Sequence, residues 1–417
     1  MTSLTLLLWI VSGIALQLAI FLGIRFWRHW LDYRALGRCG KESHLPLPQS
    51  VSSNSKVNAA WAGFRTFRVA RKVAEDASQS VCSFYLVPED GQPLPPFKPG
   101  QFLTFSLDIP LAAGGTEQVI RCYSLSDAPR SDGYRVSIKR MLPPEGSYFP
   151  HGRASAYFHD YVAAGALLQV RAPAGHFHIE RSEAPVVLIA GGIGITPMLS
   201  MLNWSLTEQP GREVWLFYGA RNRRELVMKA HLEALAAAHP NFHLQFYFSN
   251  PLPEDGVERD YQCHGRIDIS VLRRQLPLKP FHFYLCGPAS MLESLVPALE
   301  EWGVPDERIH FEAFGPSSIV RRPLIAVPQA NTTGVVVTFA RSGKQFPWQP
   351  AAANLLEFAE SHGIKVDCSC RSGSCGSCQT AILAGEVTYH QPPDYDPAQG
   401  SCLLCTCTPK SDLTLEA

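Results

Sequence analysis

Four cysteines near the end of this sequence have a spacing that suits iron–sulfur chemistry. Cys370, Cys375 and Cys378 form a Cys-x4-Cys-x2-Cys run, and Cys405 follows 27 residues after Cys378. Four thiolates in such a pattern can hold the two bridged irons of a [2Fe–2S] cluster, a centre that carries one electron at a time. The spacing therefore predicts a cluster with these four sulfur ligands.

The cysteines of the chain are unevenly distributed. Seven of the 12 lie between Cys368 and Cys407, whereas a disulfide framework would be spread over a small secreted domain. This crowding favours metal binding in a reducing compartment. Cys368, Cys402 and Cys407 could compete as ligands, and Cys402 and Cys407 stand beside the predicted fourth ligand, Cys405. A zinc site is the alternative, although it would want paired Cys-x2-Cys units.

A glycine-rich stretch in the middle of the chain is typical of phosphate binding. It reads Gly-Gly-Ile-Gly-Ile-Thr-Pro, follows a buried apolar strand and opens a helix. Glycines let a ligand approach the backbone closely, and a helix N-terminus favours a pyrophosphate. The spacing differs from the Gly-x-Gly-x-x-Gly dinucleotide fingerprint. The positions assigned to nucleotide binding here are Gly191, Gly192, Gly194, Thr196 and Pro197.

A third motif, Arg121-Cys122-Tyr123-Ser124, stands at the end of a β-type run. An arginine fork suits a phosphate, and an aromatic face suits a flat ring system. An exposed arginine beside a packed tyrosine is common in proteins, so the motif gains weight only from its neighbours in the chain.

The elements that must position these motifs form three blocks. Short β-type runs separated by turn signals fill residues 64–180 and predict an antiparallel barrel. Residues 181–318 alternate near-continuous apolar strands with helices, which predicts a parallel sheet covered on both faces. A connector at 319–332 leads to residues 333–417, where two strands, a helix and the cysteine loop fit a small β-grasp domain.

The first 28 residues predict a transmembrane anchor. Leu4–Ile24 comprises 21 residues without a charge, and a helix of that length reaches ~31 Å. A cleaved signal peptide is the alternative, but no basic residue precedes the run and no small-residue cleavage site follows it. Five basic residues between Arg25 and Lys41 predict a single-pass protein of the cell inner membrane with its catalytic domains in the cytoplasm. Residues 29–63 are predicted to be a linker.

The overall charge argues against one class of partner. Lys+Arg and Asp+Glu both number 37, so the formal net charge is zero. Nucleic-acid binding would need a basic excess, and none is present.

Taken in order, these motifs resemble those of the ferredoxin–NADP reductase superfamily, in particular its phthalate dioxygenase reductase, vanillate demethylase reductase and hybrid-cluster-protein reductase types. The resemblance implies flavin, NAD and [2Fe–2S] domains in that order. It also implies that Arg121 contacts the flavin phosphate, that Tyr123 packs on the isoalloxazine ring, and that Ser124 lies near its N5 atom.

Other positions receive a role from the same resemblance. Ser137 and Lys139 are implied to lie on the strand that lines the flavin ring and phosphates. Gly152 and Ser155 are implied to hold the pyrophosphate, and Glu312 and Phe314 to close over the flavin. Nicotinamide-nucleotide contacts at strand ends are implied for Tyr218, Arg221, Ser249, Cys286, Gly287 and Pro288, with Cys286 beside the nicotinamide. The residues implied to act in hydride transfer are Ser124, Cys286 and Glu312.

The resemblance also bears on the choice of cofactors. Flavohaemoglobin-type reductases carry a stretch similar to Gly152–Ser155 and bind FAD, so FAD is favoured over FMN. Selectivity for NADPH usually needs a basic group after the third strand, and the stretch that begins at Ser249 has none. NADH is therefore favoured, while Arg221, Arg223 and Arg224 keep NADPH open.

The implied reaction passes electrons from NADH through the flavin to the cluster and then singly to a partner protein. We expect this partner to be an oxygenase, hydroxylase or desaturase at the membrane. Two alternatives stay open, a subunit of a membrane respiratory NADH dehydrogenase complex and the reductase of a soluble redox protein. In the sodium-pumping NADH–quinone reductase the ferredoxin domain directly follows the span, whereas here it is C-terminal, which counts against the first alternative.

Overall fold

The computed structural model describes residues 61, 63–111, 114–142, 152–314, 334–349, 352–371, 373, 375–389, 393 and 395–417. The predicted anchor at 1–28 and the predicted connector at 319–332 lie outside these residues, as does nearly all of the predicted linker at 29–63. None of the helices within the described ranges has the length and apolar character needed to cross a membrane. The anchor stays a prediction.

The first described domain is a six-stranded antiparallel sheet with the strand order β4-β3-β6-β1-β2-β5. The strands are β1 (Arg65–Ala74), β2 (Val81–Pro88), β3 (Phe102–Pro110), β4 (Thr116–Ser124), β5 (Tyr134–Lys139) and β6 (Leu167–Ala174). A bridge between Leu125 and Val136 joins the two edges and closes the sheet into the predicted barrel. Helix α1 (Arg153–Asp160) packs on it through Phe158, whose ring meets Phe84 and Phe105 edge-on.

The second domain is a six-stranded parallel sheet with the order β10-β9-β8-β7-β11-β12. Its strands are β7 (Val186–Gly191), β8 (Val214–Ala220), β9 (Phe242–Phe248), β10 (Cys263–His264), β11 (His282–Gly287) and β12 (Ile309–Ala313). Its helices are α2 (Ile195–Glu208), α3 (Lys229–Ala238), α4 (Ile269–Gln275) and α5 (Ala289–Glu301). Successive β7 residues such as Val187 and Leu188 enter two different apolar clusters, so the sheet is covered on both faces as predicted.

The C-terminal domain is a mixed sheet with one helix packed against it. A five-stranded sheet has the order β14-β13-β19-β15-β17, and β16 pairs with β18. The strands are β13 (Val336–Phe339), β14 (Lys344–Pro347), β15 (Gln379–Ala384), β16 (Val387–Tyr389), β17 (Ser401–Leu403), β18 (Cys407–Pro409) and β19 (Leu413–Leu415). Helix α6 (Leu355–Ser361) buries Leu355, Leu356 and Phe358 in the core of this domain.

The starts of two helices have clear local causes. Helix α3 begins at Lys229, directly after Met228, whose left-handed backbone has φ of 55°. Helix α6 begins at Leu355, where the Asn354 side chain caps it by accepting a hydrogen bond from Glu357 N.

Candidate flavin, nucleotide and cluster sites

The carboxyl ends of β7, β11 and β12 bring the predicted nicotinamide residues together. Cys286 pairs with Ala190 on one side and with Glu312 on the other. In open parallel sheets, ligands bind outside these strand ends. The glycine loop, the Cys286–Pro288 segment and Glu312 therefore share one edge of the sheet.

The glycine loop forms a narrow turn between β7 and α2. The Thr196 hydroxyl donates to Ile193 O at 3.1 Å and fixes the first turn of the helix. A β-carbon on Gly191 would lie 2.7 Å from Pro288 Cδ. The backbone of Gly191 therefore packs directly against the ring of Pro288, which precedes α5. Gly192, by contrast, has φ of +54° and nothing within 4 Å of the β-carbon position. This open side of the loop leaves room beside the N-terminus of α2, the kind of place where a pyrophosphate binds.

The remaining strand-end positions differ in exposure. Ser249 is exposed, and its backbone N–H donates to Ala220 O at 3.1 Å. The Tyr218 side chain is fully buried, and its hydroxyl accepts a hydrogen bond from Val227 N at 3.3 Å. Its ring is therefore part of the core, and the predicted nucleotide contact of Tyr218 stays a prediction. Pro197 is buried in the first turn of α2.

The flavin fingerprint runs along the end of β4 with alternating side chains. Tyr123 packs edge-on against Phe105 and Phe158, and burial raises the pKa of its phenol, which stays protonated. Arg121 is exposed at the surface, and Ser124 is buried at the strand end. The exposed arginine is the member of the motif whose charge is available to a phosphate.

Other predicted flavin positions make mainly internal contacts. Ser137 Oγ lies 2.7 Å from Ser83 Oγ and 2.8 Å from Ser126 Oγ. Ser155 Oγ donates to Gly152 O at 2.8 Å and thereby fixes the entry to α1.

Lys139 reaches across the domain boundary. Its Nζ lies 3.4 Å from Glu225 Oε2 in the nucleotide domain. The predicted phosphate contact of this lysine stays a prediction, and the ion pair is the partner that the structure gives it.

Glu312 has a buried carboxyl oxygen whose hydrogen-bonding capacity is unused. Within the described part of the chain, Oε2 is buried and has no hydrogen-bond partner. Burial, followed by the proximity of the Cys370 thiol, raises the pKa of this carboxyl to about 8. Burial, followed by Glu312, raises the pKa of the Cys286 thiol well above its usual value. Both shifts favour the protonated, uncharged form of each group, and the free oxygen fits a polar group of a bound cofactor. Phe314, two residues on, is exposed.

The four predicted cluster ligands lie together. Cys378 Sγ lies 3.2 Å from Cys405 Sγ, and the Cys405 thiol also contacts Cys370. The Cys375 thiol contacts the Cys370 thiol, which adds the fourth sulfur to the group. An all-sulfur donor set of four thiols fits two irons with two thiolates each. The described residues contain no group of three or more His, Cys, Asp or Glu side chains arranged around a single metal ion.

The competing thiols lie apart from this group. Cys402 and Cys407 are fully buried and contact each other. Cys368 instead lies beside Arg371, whose Nη2 is 3.7 Å from its sulfur, and beside Glu360. Of the candidates for the fourth position, the structure brings Cys405 to the other three sulfurs.

Contacts between the cluster loop, which we define as the segment from Cys368 to Cys378, and the barrel were not predicted from the sequence. The backbone N–H of Cys122 donates to Ser369 Oγ at 3.1 Å. Arg171 on β6 donates through Nη1 to the carbonyl oxygen of Cys375 at 2.8 Å. No local pattern marks Ser369 or Arg171, because each depends on a partner about 200 residues or more away in the chain.

Comparisons with known proteins agree with this architecture. The family model described as "Oxidoreductase NAD-binding domain" matches residues 188–296, and that described as "2Fe-2S iron-sulfur cluster binding domain" matches residues 337–410. The flavohemoprotein of Halalkalibacterium halodurans is 38% identical over 265 residues, which are 63% of this chain and 62% of that protein. That of Bacillus cereus is 39% identical over 259 residues, or 62% of each chain. The chain thus spans less than two thirds of these relatives.

Solved structures extend the likeness to 85% of this chain. The FAD/NAD-binding domain of nitric oxide dioxygenase from Vibrio cholerae is 33% identical with a TM-score of 0.53, and the match covers 61% of this chain and 100% of that one. Phthalate dioxygenase reductase, described as a modular structure for electron transfer from pyridine nucleotides to [2Fe–2S], is 27% identical with a TM-score of 0.50. That match covers 85% of this chain and 98% of that one. The chain therefore belongs to the ferredoxin–NADP reductase superfamily of oxidoreductases, with flavin, NAD-binding and 2Fe-2S domains in that order.

Proposed function

We propose that this protein is an NADH-dependent reductase that passes single electrons, via FAD and a [2Fe–2S] cluster, to an oxygenase, hydroxylase or desaturase partner. One observation carries the proposal. Cys122, inside the flavin fingerprint, donates its backbone N–H to Ser369, which directly precedes the predicted ligand Cys370. A direct contact of this kind gives electrons a short route from a flavin on the barrel to a cluster in the C-terminal domain.

The residues at the strand ends provide a place for the dinucleotide and add little charge around it. When bound, the flavin takes two electrons together from NADH and releases them one at a time. The open side of Gly192 and the N-terminus of α2 accommodate the dinucleotide pyrophosphate. Burial raises the pKa of both the Glu312 carboxyl and the Cys286 thiol, which favours their uncharged forms at this edge of the sheet.

NADH is favoured because nearby arginines are already paired with carboxylates. Arg221 Nη2 lies 2.6 Å from Glu225 Oε1, and Arg224 Nη2 lies 3.1 Å from Glu254 Oε1. Arg223 Nε lies 3.3 Å from Asp255 Oδ1. A 2′-phosphate would have to displace a carboxylate from one of these pairs, whereas a 2′-hydroxyl would not.

FAD is favoured over FMN for a separate reason. The match to the Vibrio cholerae domain covers the full length of that domain, which is described as binding FAD and NAD. In this chain the Ser155 hydroxyl donates to Gly152 O at the start of α1. The N-terminus of this helix is a suitable place for the pyrophosphate of FAD, a group that FMN lacks.

The acceptor and the location belong to the same proposal. The likeness to phthalate dioxygenase reductase supports an oxygenase-type acceptor. The uncharged run Leu4–Ile24 and the basic residues after it support a single-pass anchor in the inner membrane, with the catalytic domains in the cytoplasm.

The test uses the full-length protein purified in mild detergent. Its spectrum should contain flavin and cluster bands, and anaerobic NADH should bleach both. A Cys370→Ser variant should lose cluster absorbance and cytochrome c reduction but keep NADH–ferricyanide activity, which the flavin supports directly. Cys263→Ser, in the nucleotide domain, is the matched control and should retain every activity.

The same experiment can contradict the proposal. If Cys370→Ser abolished reduction of the flavin by NADH, the order of the three carriers would be wrong. Affinity purification from membranes then identifies the acceptor, and recovery of quinone-reducing complex subunits instead of an oxygenase, hydroxylase or desaturase would overturn that part of the proposal.

A further inference from the structure

A row of three side chains crosses the barrel beneath the cluster loop. Thr104 on β3 is paired with Cys122 on β4 and with Arg171 on β6. Paired residues on neighbouring strands project from the same face of a sheet. The three side chains therefore form one continuous patch, and its two ends both touch the cluster loop.

Cys122 provides the contact with sulfur. It is a free thiol, its Sγ lies 3.4 Å from Thr104 Oγ1, and it forms a thiol–thiol contact with Cys375. Thr104 is almost fully buried, so its hydroxyl has few other partners and orients the thiol. When Cys375 is an iron ligand it is a thiolate and can only accept, so the S–H of Cys122 must be the donor in this pair.

Arg171 provides the contact with the backbone of the loop. It donates to Cys375 O at 2.8 Å, and its guanidinium lies 4.6 Å from the ring of Phe64 and 4.9 Å from that of Tyr395. A β-carbon on Gly376 would lie 2.6 Å from the Tyr395 ring, so this ring and the loop are packed in direct contact. The guanidinium is thus held between barrel and cluster domain, with its positive charge beside a ligand residue.

We propose that Thr104, Cys122 and Arg171 form an outer hydrogen-bonding shell of the [2Fe–2S] cluster, contributed by the flavin domain, which raises the reduction potential of the cluster. A donor to a ligand sulfur and a nearby positive charge both stabilise the reduced, more negative cluster. The flavin domain would then set the driving force for the electron that it delivers. Cys122 occupies the variable position of the flavin fingerprint and is a positioning residue in this role.

This inference rests on the proposed cluster but not on the identity of the acceptor. The test is an EPR-monitored redox titration of the full-length protein. At a fixed potential, the ratio of reduced to oxidised cluster should fall about fivefold in Cys122→Ala, the effect of losing one ordinary hydrogen bond. Cys122→Ser keeps a donor and should recover most of the loss. Cys263→Ala, which removes a thiol far along the chain in the nucleotide domain, should match the wild type.

Thr104→Val provides a second test of whether these side chains raise the reduction potential of the cluster. It removes the hydroxyl that orients the thiol and keeps the side-chain shape, so it should lower the ratio by a smaller factor and alter the EPR line shape. Arg171→Gln should lower the ratio as well and increase hydrogen exchange at residues 375–378.

Three outcomes separate the ideas. Absence of cluster bands in the wild type would remove the proposed function itself. Intact cluster with unchanged potential and EPR spectrum in Cys122→Ala, Thr104→Val and Arg171→Gln would overturn only the outer shell. Failure of both Cys122→Ala and Cys122→Ser to assemble a cluster would also overturn it, because Cys122 would then be a ligand.

Discussion

A β-carbon on Gly194 would lie 2.1 Å from the carbonyl oxygen of Cys286. The glycine loop and the cysteine strand end are thus in backbone contact, which no side chain at position 194 permits. We predict that Gly194→Ala lowers the stability of the nucleotide domain by about 2–3 kcal/mol, since neither backbone can move away freely. NADH affinity should fall with it. Thermal unfolding and NADH titration measure the two effects.

Gly211→Ala is the matched control, because nothing lies within 4 Å of its β-carbon position and its φ is not positive. This variant should unfold and bind NADH as the wild type does. Equal behaviour of Gly194→Ala and Gly211→Ala would mean that the loop does not pack on Cys286 as described.

The ion pairs beyond β8 predict how coenzyme preference can be changed. Glu254 pairs with Arg224 at 3.1 Å and lies 3.7 Å from Arg223. Glu254→Gln should free positive charge for a 2′-phosphate and raise the ratio of NADPH to NADH activity by about twofold to fivefold, the range expected for an exposed pair. Steady-state kinetics with both coenzymes measure this ratio. Glu293→Gln, on the exposed side of α5, should leave it unchanged, and an unchanged ratio in both variants would contradict the assignment.

Much of this architecture could be predicted because its signals are local. The apolar run Val186–Ala190 followed by glycines predicts a buried strand that leads through a glycine loop into a helix, and all three elements are present. The cysteine spacing likewise predicts four thiols in one place, and the structure brings them together.

The contacts between domains could not be predicted in the same way. Thr104, Cys122 and Arg171 become neighbours only through the pairing of three strands, which fixes a register that a single segment does not reveal. The burial of the Tyr218 ring in the core beneath β8 is likewise not visible in the local sequence, because it depends on how the sheet packs.

The buried Glu312 carboxyl predicts a pH dependence of stability. Its pKa is raised to about 8 in the fold, whereas the unfolded chain has the usual value near 4.5. Below pH 4.5 both states hold the proton. As the pH rises from 4.5 to 8, the unfolded state loses its proton while the folded state keeps it, so stability falls across this window. Above about pH 8 the loss levels off.

Replacement of this group should remove that fall. In Glu312→Gln the decrease in thermal midpoint between pH 5 and pH 8 should be smaller than in the wild type by about 2 °C or more. Scanning calorimetry of both proteins across this range measures it. Parallel curves for the two proteins would show that the carboxyl is ionised in the fold.

The three cysteines between β17 and β18 give a prediction that separates the ligand Cys405 from two thiols of the core. Cys405 Sγ lies 3.2 Å from Cys378 Sγ, whereas Cys402 and Cys407 contact each other in the apolar core. Cys405→Ala should therefore abolish cluster bands and remove bound iron and sulfide. Cys402→Ala and Cys407→Ala leave four sulfurs in place, so they should keep a full cluster at a cost in stability of about 1–2 kcal/mol from the small cavity. Iron and sulfide analysis with visible spectroscopy shows which variants retain the cluster. Loss of the cluster in Cys402→Ala with retention in Cys405→Ala would mean that Cys402, and not Cys405, is the fourth ligand.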